Sequence, residues 1–144
     1  MIQTKWQLIN LRLQRLFMKT RHERISLRKA GSVDYFYIDY EGVTPGEATV
    51  MLQALLDDMK EYKLPFIANF KGLRITPKYL VKANEWIDGT KNLVPFGVFV
   101  GFDNTQMVIF EAIKSINGLK HQSSRTIEKA EEALQIYYTG KSKS

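Results

Sequence analysis

The 144-residue chain has no cysteine, which excludes disulfides, thiolate metal sites and cysteine nucleophiles in one step. Histidine is almost as scarce. His22 and His121 stand far apart without metal-ligand spacing, and both are expected at surface or edge positions rather than as ligands. No metal or cofactor is expected. No apolar run approaches the ~18–20 residues that a membrane-spanning helix needs; the longest are pieces such as 66–70 and 98–100. Phosphate-binding, nucleophile-elbow, zinc-protease and dinucleotide fingerprints are all missing, so the expectation is a protein that binds or regulates rather than an enzyme.

What is present is ordinary in bulk and uneven in place. An apolar share of 44% and a charged share of 25% suit one globular domain of this length. The net charge of +6 is not evenly spread. Residues 1–31 hold eight basic side chains and a single acid, Glu23, for a net +7, whereas the remainder holds 13 basic and 14 acidic residues, a net −1. The body is therefore no basic surface for nucleic acid, and any attraction to phosphate or anionic lipid belongs to the leader.

The leader, residues 1–24, has a helical pattern. Ile2, Trp6, Ile9, Leu13, Leu16 and Phe17 share one face, flanked by Lys5, Arg12, Arg15 and Lys19. Such a helix suits packing on its own domain or a twin subunit, or lying on an anionic membrane surface; Trp6, Arg12, Arg15, Phe17 and Lys19 are the contact candidates. A transit peptide, or a natural start at Met18, are the other readings. The expected location is cytoplasmic, peripheral at the membrane if the leader binds there.

Beyond residue 24 the period changes. Ile25-Ser-Leu27 alternates, Gly31-Ser32 marks a turn, and residues 35–40 are aromatic and β-branched, which predicts a hairpin. Thr44-Pro45-Gly46-Glu47 opens a helix as cap, first-turn proline and capping-box acid, with Val50, Leu52, Leu55, Leu56 and Met59 as its buried face. A buried strand follows at 66–70. Thr76-Pro77 opens a second helix stopped by Gly89, then a strand over 96–102. Asn104 or Thr105 starts a third helix through Met107, Val108, Phe110, Ala112, Ile113 and Ile116. An edge strand over 119–123 and a last helix capped by Thr126 complete a domain over 25–140, with a frayed tail at 141–144. Strands alternating with helices predict an α/β fold: a mixed sheet of four to five strands, hairpin first and then parallel, with four helices.

In their order and spacing, Tyr37-Ile-Asp-Tyr-Glu-Gly42, Pro65-Phe-Ile-Ala-Asn-Phe70, Thr76-Pro-Lys-Tyr79, Lys91-Asn-Leu-Val-Pro-Phe-Gly-Val-Phe-Val-Gly101 and Thr126-Ile-Glu-Lys-Ala-Glu-Glu-Ala133 are similar to one known pattern. From about Ser32 to Tyr138 the chain resembles STAS-like domains of the bacterial anti-sigma-factor-antagonist type, in a branch grouped with lipid-binding CRAL-TRIO domains. The resemblance implies helices largely on one sheet face, a protein partner, and no settled activity for the branch. In similar antagonists a phosphorylated serine starts the helix after the strand, and Thr76 matches that position. Asn69, where an acid often ends the strand, and the proline after Thr76 depart from the pattern.

Independently of any resemblance, open α/β sheets gather ligands where parallel strands end and helices begin. That rim comprises residues 42–46, 69–76 and 101–105. Asn69, Lys71, Gly72, Arg74, Thr76 and Asp103 are the candidate ligand- or partner-binding residues, and Thr76 the candidate phosphorylation site. Thr76 also reads as a plain helix cap, Asp103-Asn104-Thr105 as another, and Asp39 as a strand-end hydrogen-bond acceptor. The expected function is a regulatory domain acting through protein–protein interaction; the alternative is a lipid or membrane-surface binder using the leader and the rim.

Overall fold

The computed structural model describes residues 23–140. Most of the leader, including Trp6, Arg12, Arg15, Phe17 and Lys19, lies outside the described residues, as do His22 and the tail 141–144. The described chain is α/β. Strands β1 (Ile25–Ala30) and β2 (Val33–Asp39) form an antiparallel hairpin, Ile25 opposite Ile38 and Ala30 opposite Val33. The turn between them carries Gly31 at φ +61°, where a Cβ would be strained. Strands β3 (Phe66–Asn69), β4 (Val98–Val100) and β5 (Gln122–Ser124) then add one after another in parallel, so sheet order equals chain order.

That order dictates where the helices go. Each step from β2 to β5 moves one strand in the same direction, and right-handed crossovers place every connecting helix on the same face. These are α1 (Pro45–Tyr62), α2 (Pro77–Thr90) and α3 (Asn104–Asn117). The last helix, α4 (Ile127–Thr139), follows the final strand and covers the opposite face. Alternation along the strands feeds two cores. Phe36, Ile38, Phe66 and Ala68 face α1 and α2, while Tyr35, Tyr37, Ile67, Val98 and Val100 face Ala130 and Leu134 of α4. Each large apolar side chain so buried contributes about 1.5–3 kcal/mol before entropy is counted.

Several local expectations need correction, among them the strands over 96–102 and 119–123, which are Val98–Val100 and Gln122–Ser124. Val50 is not on the buried face of α1 but 64% exposed; Ala48, Met51, Leu52, Leu55, Leu56 and Met59 make that face. Gly89 does not stop α2, which runs on to Thr90. A Cβ there would meet Leu56 Cδ1 at 2.8 Å and Lys60 Cε at 2.9 Å, so glycine serves the close packing of α2 on α1. His121 is no surface residue: it is 2% exposed just before β5, and its Nδ1 accepts the Gly97 amide at 3.0 Å. Gly97 has no side chain because the Phe66 ring occupies its Cβ position, 2.2 Å away.

Candidate functional site at the rim

The rim begins with helix starts. Thr44 Oγ1 accepts from the Glu47 amide at 3.3 Å, Thr76 Oγ1 from Tyr79 at 3.2 Å and Thr126 Oγ1 from Lys129 at 3.1 Å. Asp103 caps α3 in a full capping box: its Oδ1 takes the Gln106 amide at 2.7 Å while Gln106 Oε1 takes the Asp103 amide at 2.9 Å. All four helices thus open at the edge where β2 to β5 end, and each start has one amide already satisfied by its own cap.

Between the caps, the predicted residues divide into two groups. Asn69, at the end of β3, is a brace. Its Nδ2 donates to Asp39 Oδ1 at 3.3 Å and its Oδ1 accepts the Lys71 amide at 3.1 Å. The Asp39 carboxylate also accepts from the Glu41 amide at 3.0 Å and from Arg24 Nη1 at 3.4 Å, as a strand-end acceptor should. Gly101, at φ +80°, leaves room for this brace; a Cβ there would sit 2.8 Å from Asn69 Oδ1. Lys71, Gly72 and Arg74 form the outward group, exposed on the β3–α2 loop, with Lys71 Nζ 3.7 Å from Glu41. Thr76 sits half-buried at the end of that loop, and Asp103 is exposed but engaged as a cap.

Sequence reasoning missed Gln106. Buried at the start of α3, its Nε2 donates to the carbonyls of Phe70 at 2.9 Å and Leu73 at 2.7 Å, tying α3 to the loop that carries Lys71 and Arg74. The Asp103-x-x-Gln106 spacing was the available signal. A second missed feature lies on the α4 face, where Glu23, Arg24, Ser26, Arg28, Tyr37 and Asp39 line a polar cleft of about 380 Å³. The Arg28 guanidinium stacks 3.8 Å above the Tyr37 ring. Burial, then the Asp39 charge, raises the Tyr37 hydroxyl above its ordinary pKa. Period-two alternation along β1 would have put Ser26 and Arg28 together on that face.

The strand order decides what the rim can do. Small ligands in open α/β sheets favour the point where the order reverses and neighbouring helices part to opposite faces. Among the described strands the order never reverses, so no such crevice opens between them. The rim is a braced outer surface, suited to a broad contact more than to an enclosed ligand.

The third helix extends that surface. Its inward residues are Gln106 and Phe110, with Ile109 and Ile113 half-covered. Its outward side carries Val108 at 70% exposure, exposed Ala112 and Ile116 at 83%. These three recur every fourth residue and make a stripe about 12 Å long. No described helix is long and apolar enough to cross a membrane. No family model matches the chain, and no curated protein matches it.

Proposed function

We propose that the domain is a non-enzymatic, STAS-like regulatory module whose protein partner seats on the β3–α2 loop and the outward stripe of α3. The observation that carries this reading is the stripe. A helix lying on a sheet needs one apolar face, and α3 has two: Phe110 and Ile113 inward, Val108, Ala112 and Ile116 outward. Exposed apolar residues arranged in a row, beside the charged loop of Lys71 and Arg74, have the make-up of a contact surface with an apolar centre and a polar rim. The resemblance to antagonist proteins supports the same edge, with Thr76 as the residue whose phosphorylation would switch the contact.

The test is an affinity capture from the native host with wild type, a Val108→Asp/Ile116→Asp double variant and Thr76→Glu. Both substituted proteins are expected to stay folded and to lose the same captured protein. Retention of every wild-type partner by the double variant would overturn the reading.

Charge segregation favours a second reading, attachment to an anionic membrane surface through the basic leader, since residues 1–31 carry +7 and the rest −1. Flotation with anionic and neutral vesicles distinguishes it. Binding confined to anionic vesicles and lost at high salt supports it, and equal binding to both lipid types at high salt excludes it.

A further inference from the structure

Between the sheet and helices α1 to α3 lies a cavity of about 70 Å³ that no residue of the rim argument explains. Its walls are almost wholly apolar, with Phe66, Phe99 and Phe110 among them. The polar groups at its edge are mostly spent. Gln106 donates to two loop carbonyls, and the Tyr79 hydroxyl donates to that of Tyr40 at 3.4 Å. One group is not. Trp86, a lining residue only 6% exposed, has an indole N–H with no acceptor among the described residues.

A buried donor without an acceptor is rare, and it is costly because the group was hydrogen-bonded to water in the unfolded chain. Water is a poor remedy here. It needs two to four polar partners to be held, and an apolar cavity of this kind stays dry. The part-exposed lining residues include Leu80 and Ala83 on α2 and Ile109 and Ile113 on α3, besides Ile75, Phe99, Phe102 and Leu119, so the mouth that the two helices share lies between α2 and α3. The α3 side of that mouth has no close packing along a neighbouring helix among the described residues, unlike α1 against α2. It can therefore part from the domain at modest cost.

We propose that this cavity is a binding site for a small, neutral, largely aliphatic molecule carrying one hydrogen-bond acceptor, which takes the Trp86 N–H while its chain leaves between α2 and α3. A neutral acceptor is required because an ionised head would be stranded in apolar surroundings without a counter-charge. The inference is independent of the rim as a protein contact: the residues used lie under the helices, and the outward stripe plays no part.

The test uses the full chain and two probes of equal shape, 2-heptanone and 2-methyl-1-heptene, titrated by saturation-transfer NMR. Only the ketone carries an acceptor. Trp86→Phe keeps an aromatic side chain but removes the donor with the five-membered ring; the added space is common to both probes, so the ketone is expected to lose about tenfold relative to the alkene. Ala83→Leu, which fills the mouth, is expected to abolish both. The proposal fails if wild type binds neither probe, if Trp86→Phe weakens both equally or neither, or if a folded Ala83→Leu protein binds as wild type does. Should Ala83→Leu not fold, the ketone–alkene contrast in Trp86→Phe decides alone.

Discussion

His121 illustrates how one buried contact overrides a sequence expectation. Its ring packs edge-on against Phe66 and close to Trp86 and Phe99, and its Nδ1 must stay unprotonated to accept the Gly97 amide. Burial first, and the nearby Lys114 charge second, lower its pKa from 6.5 to about 4. The sign follows directly. As pH falls below 6.5 the unfolded chain takes up this proton while the folded one does not, so stability is full above about 6.5. It declines as pH falls to about 4, by roughly 3 kcal/mol from this residue. Urea melts at pH 7 and pH 4.5 on wild type and His121→Asn check this: the variant, whose amide oxygen can still accept from Gly97, should lose distinctly less over that interval. Equal losses would mean His121 is not the sensor. A second residue-scale expectation concerns Lys63, which ends α1 in the left-handed region at φ +55°. Glycine adopts that conformation without a Cβ penalty, so Lys63→Gly should raise the unfolding free energy by ~1 kcal/mol in a denaturant titration.

At the scale of elements, what could be read from the sequence was what is local. Thr44-Pro45, Thr76-Pro77 and Thr126 mark helix starts because a cap, its amide and the first turn lie within four residues, and each of these threonines caps as expected. The hairpin, from alternation at 25–27 and the aromatic, β-branched run at 35–40, and the buried strands, from short apolar runs, were legible for the same reason. Contacts across the fold were not legible: Gly89 resembled a helix stop until α1 packed beside it, and Val50 lay among helical hydrophobics although it faces outward. The rim shows the same division. Its loops could be located, but the bracing of Asn69 by Asp39, and the reach of Gln106 to Phe70 and Leu73, depend on residues more than 25 positions apart. The apolar residues of α3 were legible as a helical run, but not their division between an inward and an outward side. Gln106→Ala should therefore cost ~2 kcal/mol, since it removes half of a capping box and takes a donor from the Leu73 and Phe70 carbonyls, of which Phe70 keeps the Leu73 amide at 3.0 Å. Thr76→Ala, losing only a cap, should cost ~1 kcal/mol. Hydrogen exchange separates these effects: Gln106→Ala should speed exchange in α3 and the 70–74 loop, while Thr76→Ala should act only on the first turn of α2.

On the scale of the whole molecule, a sheet whose order follows the chain stacks three crossover helices on one face and leaves one helix to cover the other. The consequence, among the described residues, is a sheet without a switch-point crevice, with the helix starts gathered at one edge and empty space under α2 and α3 instead. Charge adds a second asymmetry, because the basic excess lies in residues 1–31 and the body is close to neutral. These two asymmetries predict separability. Among the described residues, the two apolar cores draw on residues from Ile25 to Leu134, strand pairing runs from Ile25 to Ser124, and every helix starts with its own cap. Deleting residues 1–17 should therefore leave a cooperatively unfolding domain whose Tm moves by no more than a few degrees, while its binding to anionic vesicles, if the leader supplies it, disappears. Circular dichroism melts and vesicle flotation on the same two proteins measure both. A fall in Tm of more than about 10 °C, which for a domain of this size corresponds to a few kcal/mol, would place the leader in the core and assign its apolar face to the domain rather than to a membrane.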